Sequence, residues 1–295
     1  MIVILGPTAT GKTALAAELC YRINGEVISA DSRQVYRDMD IGTGKDLDDF
    51  NIHNTQIPYH LVNVADAGFE YNIFHYQHQF HKSYNDILSR GKKPVLCGGS
   101  GLYIETVLKG FNLHEVPDNI ELRKNLESKS DEELIQLLSG MQKLHNKTDT
   151  NTRERLIKAL IIAFYLKETK PEFPPIDSVI FGVFYERNIV RERITQRLKQ
   201  RLENGLIEEA EMLLNKGLTL EKFKYYGLEY KFLALYLEKK ITYQELFTQL
   251  NIAIHQFSKR QMTWFRKMEK EGFKINWIDG NLSMDEKINF ILERI

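Results

Sequence analysis

The octapeptide Gly6-Pro7-Thr8-Ala9-Thr10-Gly11-Lys12-Thr13 sets two glycines, a lysine and a hydroxyl at the spacing of a loop that curls around phosphate. Glycines let successive amides turn inward on an anion, and the helix that follows adds its positive end. Lys12 then neutralises phosphate oxygens, and the Thr13 hydroxyl is a ligand for Mg²⁺. The loop selects a polyphosphate without saying what becomes of it. Phosphoryl transfer from a nucleoside triphosphate and departure of an allylic diphosphate from carbon would use the same amides, lysine and metal. Asp31, in "VISADSRQVYRD", is a carboxylate able to bind metal, to act as a general base, or merely to cap a turn. A basic run carries Arg187, Arg191, Arg193, Arg197, Lys199 and Arg201. On a helix it reads either as a solvated face paired with Glu192 or Glu203 or as a set of phosphate ligands. "SKRQMTWFRKMEK" also reads two ways: basic and aromatic residues that contact nucleic acid, or an amphipathic helix with Trp264 and Phe265 inside and Lys259, Arg260, Arg266 and Lys267 in solvent. His75, His78 and His81 line one helix face, but no Cys or paired carboxylate completes a metal site, so an exposed or aromatic-packed stripe is expected.

These residues need a scaffold, and the chain alternates short β-branched runs with helical periodicity. Ile2 to Leu5 reads as strand, Thr13 to Ile23 as helix, "GEVISAD" as strand, and "KKPVLCGGSG" as a strand ending in glycines. That is the rhythm of a parallel α/β sheet, whose ligands bind at the carboxyl ends of its strands. From about residue 117 to 170 the pattern becomes polar and Leu-spaced, which reads as a helical insertion. Prolines in "KPEFPPIDSVIFGVFYE" end it, and "SVIFGVFY" resumes the sheet. Helices are then expected over 189–205, 207–216, 226–239 and 242–268, with Thr242 and Glu245 forming a capping box, before a strand-like "GFKINWID" and a terminal helix.

Composition excludes several classes. The 295 residues carry 40 Lys and Arg against 40 Asp and Glu, so nucleic acid, if bound, meets a local patch rather than a basic protein. No apolar run reaches the length of a membrane span, and the apolar start lacks the basic flank of a signal peptide, so a cytoplasmic protein is expected. Cys20 and Cys97 are too few for a disulfide framework and read as buried thiols.

Taken together, the motifs resemble the tRNA dimethylallyltransferase family along nearly the whole chain. "DSRQVYRDMDIGT" is similar to the family's second motif, "GPTATGKT" to its diphosphate loop, "IPYHLVNV" to its Pro-x-His-Leu strand and "GGSGLYIETVLKG" to its Gly-Gly-Thr-x-Leu-Tyr segment. "RERLIKAL" resembles its Arg-Leu-x-Arg-Ala-Leu helix, the basic run the helix after its insertion, and "SKRQMTWFRK" its Lys-Arg-Gln-x-Thr-Trp-Phe-Arg signature. Ser100 stands where the family has Thr, Gly44-Lys45-Asp46 replaces Ala-Lys-Pro, Lys158 replaces Arg, and "YYGLEY" replaces Gly-Tyr-Lys/Arg-Glu. The resemblance is to the bacterial type, in which no carboxy-terminal zinc-finger extension is expected.

The resemblance implies a P-loop NTPase-like core over 1–115 and 172–295, a helical insertion over 116–171 that contacts the tRNA anticodon stem-loop, and a mostly helical C-terminal part. It implies transfer of a dimethylallyl group from dimethylallyl diphosphate to N6 of the adenosine 3′ of the anticodon, with Mg²⁺, by a monomer. Asp31 becomes the general base, such proton transfer contributing a factor of about 10² to 10⁴. Gly6 to Thr13 and Arg193 become the diphosphate ligands, with Lys12, Thr13 and Arg193 stabilising the leaving group. Asp31, Ser32, Arg33 and Gln34 would contact the extruded adenine, with Ser100 nearby. Arg123 and the stretch Glu154, Arg155, Leu156, Ile157 and Lys158 would hold the stem-loop, as would Arg260 and Gln261. A variant prenylating free AMP, ADP or ATP shares the diphosphate site. A small-molecule kinase explains only residues 1 to 40, and a non-catalytic RNA-binding switch would not need Asp31.

Overall fold

In the computed structural model, which describes residues 1–113, 116, 119–141, 152–166 and 172–295, the opening apolar run is strand β1 (Ile2–Leu5). All four of its residues are buried, as a strand covered on both faces requires. Helix α1 (Lys12–Ile23) follows the loop, and β2 (Gly25–Ala30) follows α1. The short helix α2 (Asp40–Thr43), a 3₁₀ turn at Leu47–Phe50, the hairpin β3 (Asn51–Ile52) and β4 (Thr55–Gln56), and β5 (Tyr59–His60) lead to α3 (Ile73–Ser89). Then come β6 (Lys93–Gly98), α4 (Gly101–Lys109), α5 (Ile120–Glu127), α6 (Asp131–Met141) and α7 (Arg153–Leu166). The chain continues with β7 (Val179–Phe184), α8 (Arg187–Glu203), α9 (Leu206–Asn215), α10 (Leu220–Phe223), α11 (Leu228–Leu237), α12 (Tyr243–Lys270), β8 (Ile275–Asp279) and α13 (Met284–Leu292).

The main sheet runs β5-β2-β6-β1-β7-β8, every pair parallel. Alternate residues of β1 feed two cores: Val3 and Leu5 pack with Ile28, Leu96 and Ile104 on one face, Ile2 and Ile4 with Leu15, Leu19 and Phe181 on the other. Register then places the loops. Leu5 pairs with Gly98 and Gly182, and Ala30 pairs with Gly98, so the residues after β1, β2, β6 and β7 leave the sheet side by side at its carboxyl edge. Cys20 and Cys97 are free and buried. No described helix is long and apolar enough to cross a membrane.

Met1–Leu108 with Ile176–Ile295 form one compact unit and Lys109–Pro175 another. The second unit is wider than the 116–171 expected. The chain leaves α4 through Gly110, left-handed at φ 59°, and rejoins the first unit where the Ile176 amide donates to Leu108 O at 3.3 Å. Its core is Leu126, Leu134, Leu138, Leu156, Ile157 and Leu160. Between α5 and α6 the Ser130 and Glu133 side chains each accept from the other's amide, a box that starts a fresh helix. Most of the stretch 144–155 that precedes and begins α7 lies outside the described residues. "IPYHLVNV" pairs only at Tyr59 and His60, because Leu61 and Asn63 take positive φ and turn the edge strand off the sheet. Thr242 and Glu245 do form a capping box at the head of α12.

Candidate active site

The phosphate loop is held in shape by its own side chains. Thr10 Oγ1 and Lys12 Nζ both donate to Pro7 O at 2.9 Å, closing the loop on itself. Ala9 and Gly11 are left-handed, at φ 63° and 76°, and Gly11 delivers the chain directly into α1. A β-carbon on Gly6 would lie 2.7 Å from Val183 O, so only glycine lets β1 turn here against β7. Burial lowers the Lys12 pKa below the ordinary lysine value, opposed by Cys97, Asp31 and Asp46 and reinforced by Arg197.

Arg193 reaches the same loop from α8. Its Nε donates to Ala9 O at 2.7 Å, and its guanidinium lies over the Tyr185 ring at 4.7 Å. The helix face continues through Arg197 and Arg201, one turn apart each. Arg197 pairs with Asp46, and Arg201 lies 3.5 Å from Glu229. Burial, with Arg197 beside it, brings Arg201 down to about 10, while burial pushes the Glu229 carboxyl above the ordinary glutamate value against the pull of Arg201. A cavity of about 780 Å³ opens between this face and the loop, lined among others by Thr13, Lys12, Arg193, Arg197, Asp46 and Asp49. The Thr13 hydroxyl makes no hydrogen bond among the described residues. Asp46, Asp48 and Asp49 line the same cavity, but no three His, Cys, Asp or Glu side chains converge to hold a metal among the described residues.

Asp31 leaves β2 beside the loop. Its Oδ1 accepts from the Arg33 and Gln34 amides at 2.8 and 3.4 Å, an Asx turn that fixes the carboxylate, and its Oδ2 makes no hydrogen bond among the described residues. Ser100 Oγ accepts from the Ser32 amide at 3.2 Å, so the hydroxyl after β6 supports the turn after β2. The Gln34 amide is engaged at both ends: Ser29 Oγ donates to its Oε1 at 3.1 Å, and its Nε2 donates to Gly44 O at 3.0 Å. Gln261, from α12, ties two further loops together. Its Oε1 accepts from the Thr8 amide at 2.9 Å and its Nε2 donates to Gly99 O at 3.0 Å. The side chain is buried, which makes Gln261 a positioning residue of the loop edge, whereas Arg260 is exposed over Phe257.

Phe265 is fully buried, and Trp264 is half-buried with its indole N–H donating to Glu105 at 2.9 Å. In the second unit, Leu156 and Ile157 lie in the core, and Glu154, Arg155 and Lys158 face outward along α7. The three histidines pack on rings: His75 on Phe69, His78 on Phe74 and His81 on Phe80. Sequence reasoning missed Glu209, Glu105 and Tyr185. It also missed the inward turn of Arg197 and Arg201, although the step of four from Arg193 to Arg197 and again to Arg201 signals one shared face.

The strand–loop–helix at the centre of a parallel sheet defines a phosphate-loop α/β protein. A family model described as IPP transferase matches residues 34–268, and one described as Isopentenyl transferase matches residues 1–63. The chain is 54% identical over 298 aligned positions to tRNA dimethylallyltransferase 2 of Bacteroides fragilis, covering 100% of this chain and 97% of that one. It is 53% identical over 296 positions to tRNA dimethylallyltransferase 2 of Porphyromonas gingivalis, covering 99% and 98%. The crystal structure of a full-length tRNA isopentenylpyrophosphate transferase from Bacillus halodurans matches with a TM-score of 0.70 at 32% identity, covering 99% of this chain and 95% of that one. The chain belongs to the tRNA dimethylallyltransferase family.

Proposed function

We propose that this protein transfers the dimethylallyl group of dimethylallyl diphosphate to N6 of the adenosine 3′ of the anticodon in tRNA, acting in the cytoplasm as a monomer. The observation that carries the reading is the stitched loop edge. Gln261 joins the loops after β1 and β6, and Ser100 joins those after β6 and β2, so a carboxylate stands fixed beside a phosphate loop within one chain.

The diphosphate lies in the loop, its oxygens met by backbone amides, Lys12 and Arg193. Adenine N6 attacks C1 of the allyl group; the C–N bond forms as the C–O bond breaks and its electron pair leaves on the diphosphate. Asp31 takes the N6 proton at Oδ2, since Oδ1 is occupied by the Arg33 and Gln34 amides. Charge grows on the leaving group, so Lys12 and Arg193 stabilise the transition state more than the ground state. Mg²⁺, held by Thr13 and diphosphate oxygens, would add charge neutralisation there. The adenine must leave its stack to reach Asp31, and Ser32 and Gln34 border its path.

The test is incubation with labelled dimethylallyl diphosphate, Mg²⁺ and either unmodified tRNA or AMP. Label on tRNA supports the reading, label on AMP moves it to the free-nucleotide variant, and label on neither overturns it. Asp31→Ala should lower transfer by roughly 10² to 10⁴ while diphosphate binding survives. Near-normal turnover would remove Asp31 from the role of base.

A further inference from the structure

Two aromatic rings stand in solvent on this unit, Tyr225, 38% exposed, against Arg33 of the Asp31 turn, and Phe69, 49% exposed, joined to it through Tyr71 and His75. Neither is loose. Tyr225 Oη donates to Tyr71 O at 3.0 Å, and its ring meets Tyr36 and Tyr226 edge-on at 6.5 and 5.5 Å. Phe69 leans on His75 at 5.1 Å, and His75 in turn meets Tyr71 at 5.7 Å. The Arg33 guanidinium lies over the Tyr225 ring at 5.3 Å, while the Arg33 amide is bound to Asp31. A chain of contacts therefore runs from the Asp31 turn through the Arg33 guanidinium, the Tyr225 ring and the buried Tyr71 to His75 and Phe69.

Single exposed apolar side chains are ordinary on protein surfaces. Two exposed rings braced by aromatic neighbours and linked by contacts to the Asp31 turn are a different matter, because flat faces held in place are what stacking needs. The charge around them is mixed: Lys222 stands near Gly68 and Arg33 near Tyr225, but Glu70 follows Phe69 and is exposed. Such a face suits π-stacking better than phosphate neutralisation. Extruding an adenosine from a loop also strips its two neighbours of a stacking partner.

We propose that Phe69 and Tyr225, the latter backed by Arg33, form a platform on which the nucleobases flanking the target adenosine stack once it is extruded. The proposal rests on the tRNA reading above and names the surface that receives the rest of the loop. Arg33 then has two ends with two uses: its amide orients the base-accepting carboxylate and its guanidinium holds the platform ring.

The test uses the full chain, dimethylallyl diphosphate and an anticodon stem-loop RNA, in intact form and with abasic sites on both sides of the target adenosine. Phe69→Ala should raise KM and Kd for the intact RNA by roughly 5- to 150-fold and leave KM for dimethylallyl diphosphate unchanged. Phe69→Leu, which keeps apolar bulk without a ring, should show most of the same loss. Tyr225→Phe, which keeps the ring, should stay near wild type. On the abasic RNA the wild type should already be weak and Phe69→Ala should add nothing. An unchanged KM for intact RNA, or the same fold-loss on intact and abasic RNA, overturns the platform. If the wild type binds the stem-loop without prenylating it, the transfer reading fails while the binding comparison still decides the platform; if it does not bind at all, both fall.

Discussion

Removing the Glu209 carboxylate should unfasten the loop beside the active site. Its Oε2 accepts from the Asp40 and Ile41 amides, both at 2.7 Å, and its Oε1 from the Gly42 amide at 2.8 Å and Tyr230 Oη at 2.6 Å. Met39, the N-cap of α2, offers no side-chain cap, so an acid from α9 does that work from 167 to 169 residues away. A hydrogen bond to a charged group contributes about 1.5–3 kcal/mol, and buried groups left unpaired cost more. The four bonds share one carboxylate and are not additive, so Glu209→Ala should destabilise by roughly 3–6 kcal/mol. Glu209→Gln keeps the shape but turns one acceptor into a donor facing donors, and should cost about 2–3 kcal/mol. Tyr230→Phe, losing one bond and leaving the amides held, should cost about 1–2 kcal/mol. Equilibrium urea unfolding measures the series. Because α2 ends at Gly44, whose carbonyl holds Gln34, transfer to tRNA should fall in the same order under conditions where each variant is folded. Glu209→Ala within about 1 kcal/mol of wild type would refute the capping argument.

Three further outcomes follow from the geometry. Gly44→Ala places a β-carbon inside the Arg201 guanidinium at a left-handed φ of 62°, so melting temperature and transfer should both drop, whereas an unaltered melting curve would show that Arg201 has room to move. Gln261→Leu frees the Thr8 amide and Gly99 carbonyl, and should raise KM for dimethylallyl diphosphate about tenfold, equivalent to about 1.4 kcal/mol. A rise confined to KM for tRNA would contradict the positioning role. Hydrogen bonds from Arg90 first and His60 next, against burial, hold the Glu26 carboxyl down at about 2. Its folded pKa is depressed, so its contribution is whole above about pH 4.5 and is lost as pH falls toward 2. Glu26→Gln should flatten the acid limb of stability against pH, as followed by thermal denaturation, and an unchanged limb would count against the pair.

The phosphate loop, the alternating strands and the start of α12 are legible in the sequence because each rests on neighbours within a few residues: glycines around a lysine, apolar runs before glycine, Thr242 before Glu245. The strand that "IPYHLVNV" resembles is shorter here than the motif implies. An apolar stretch signals burial, and only the left-handed turn at Leu61 shows that pairing stops after two residues. Positioning contacts are hidden because their two halves are far apart. Gln34 looks like a free amide until Ser29 and Gly44 are seen to hold both ends, and Gln261 looks like part of an RNA signature until Thr8 and Gly99 are found on it. Leu156 and Ile157 sit inside a motif whose exposed members are Glu154, Arg155 and Lys158; a contiguous motif on a helix always includes residues that face its own core.

Gly44, Asp46 and Glu229 belong to one arrangement with the arginines of α8. Glycine at 44 leaves space for the Arg201 guanidinium, which lies 3.5 Å from the half-buried Glu229 carboxylate. Asp46 then pairs with Arg197, one turn back on the same helix and one turn on from Arg193. Lys45, 1% exposed, turns the other way and donates to Tyr36 O, Asp40 and Asn63 at 2.6, 2.5 and 2.5 Å. Arg201 and Glu229 are little exposed, at 13% and 19% of their side chains, so changing either alone should be worse than changing both together. Two of the arginines on this helix face are therefore committed to structure by Asp46 and Glu229. Arg193, with its Nε on the loop, has no carboxylate partner among the described residues, which is why the proposed reading gives its charge to the diphosphate.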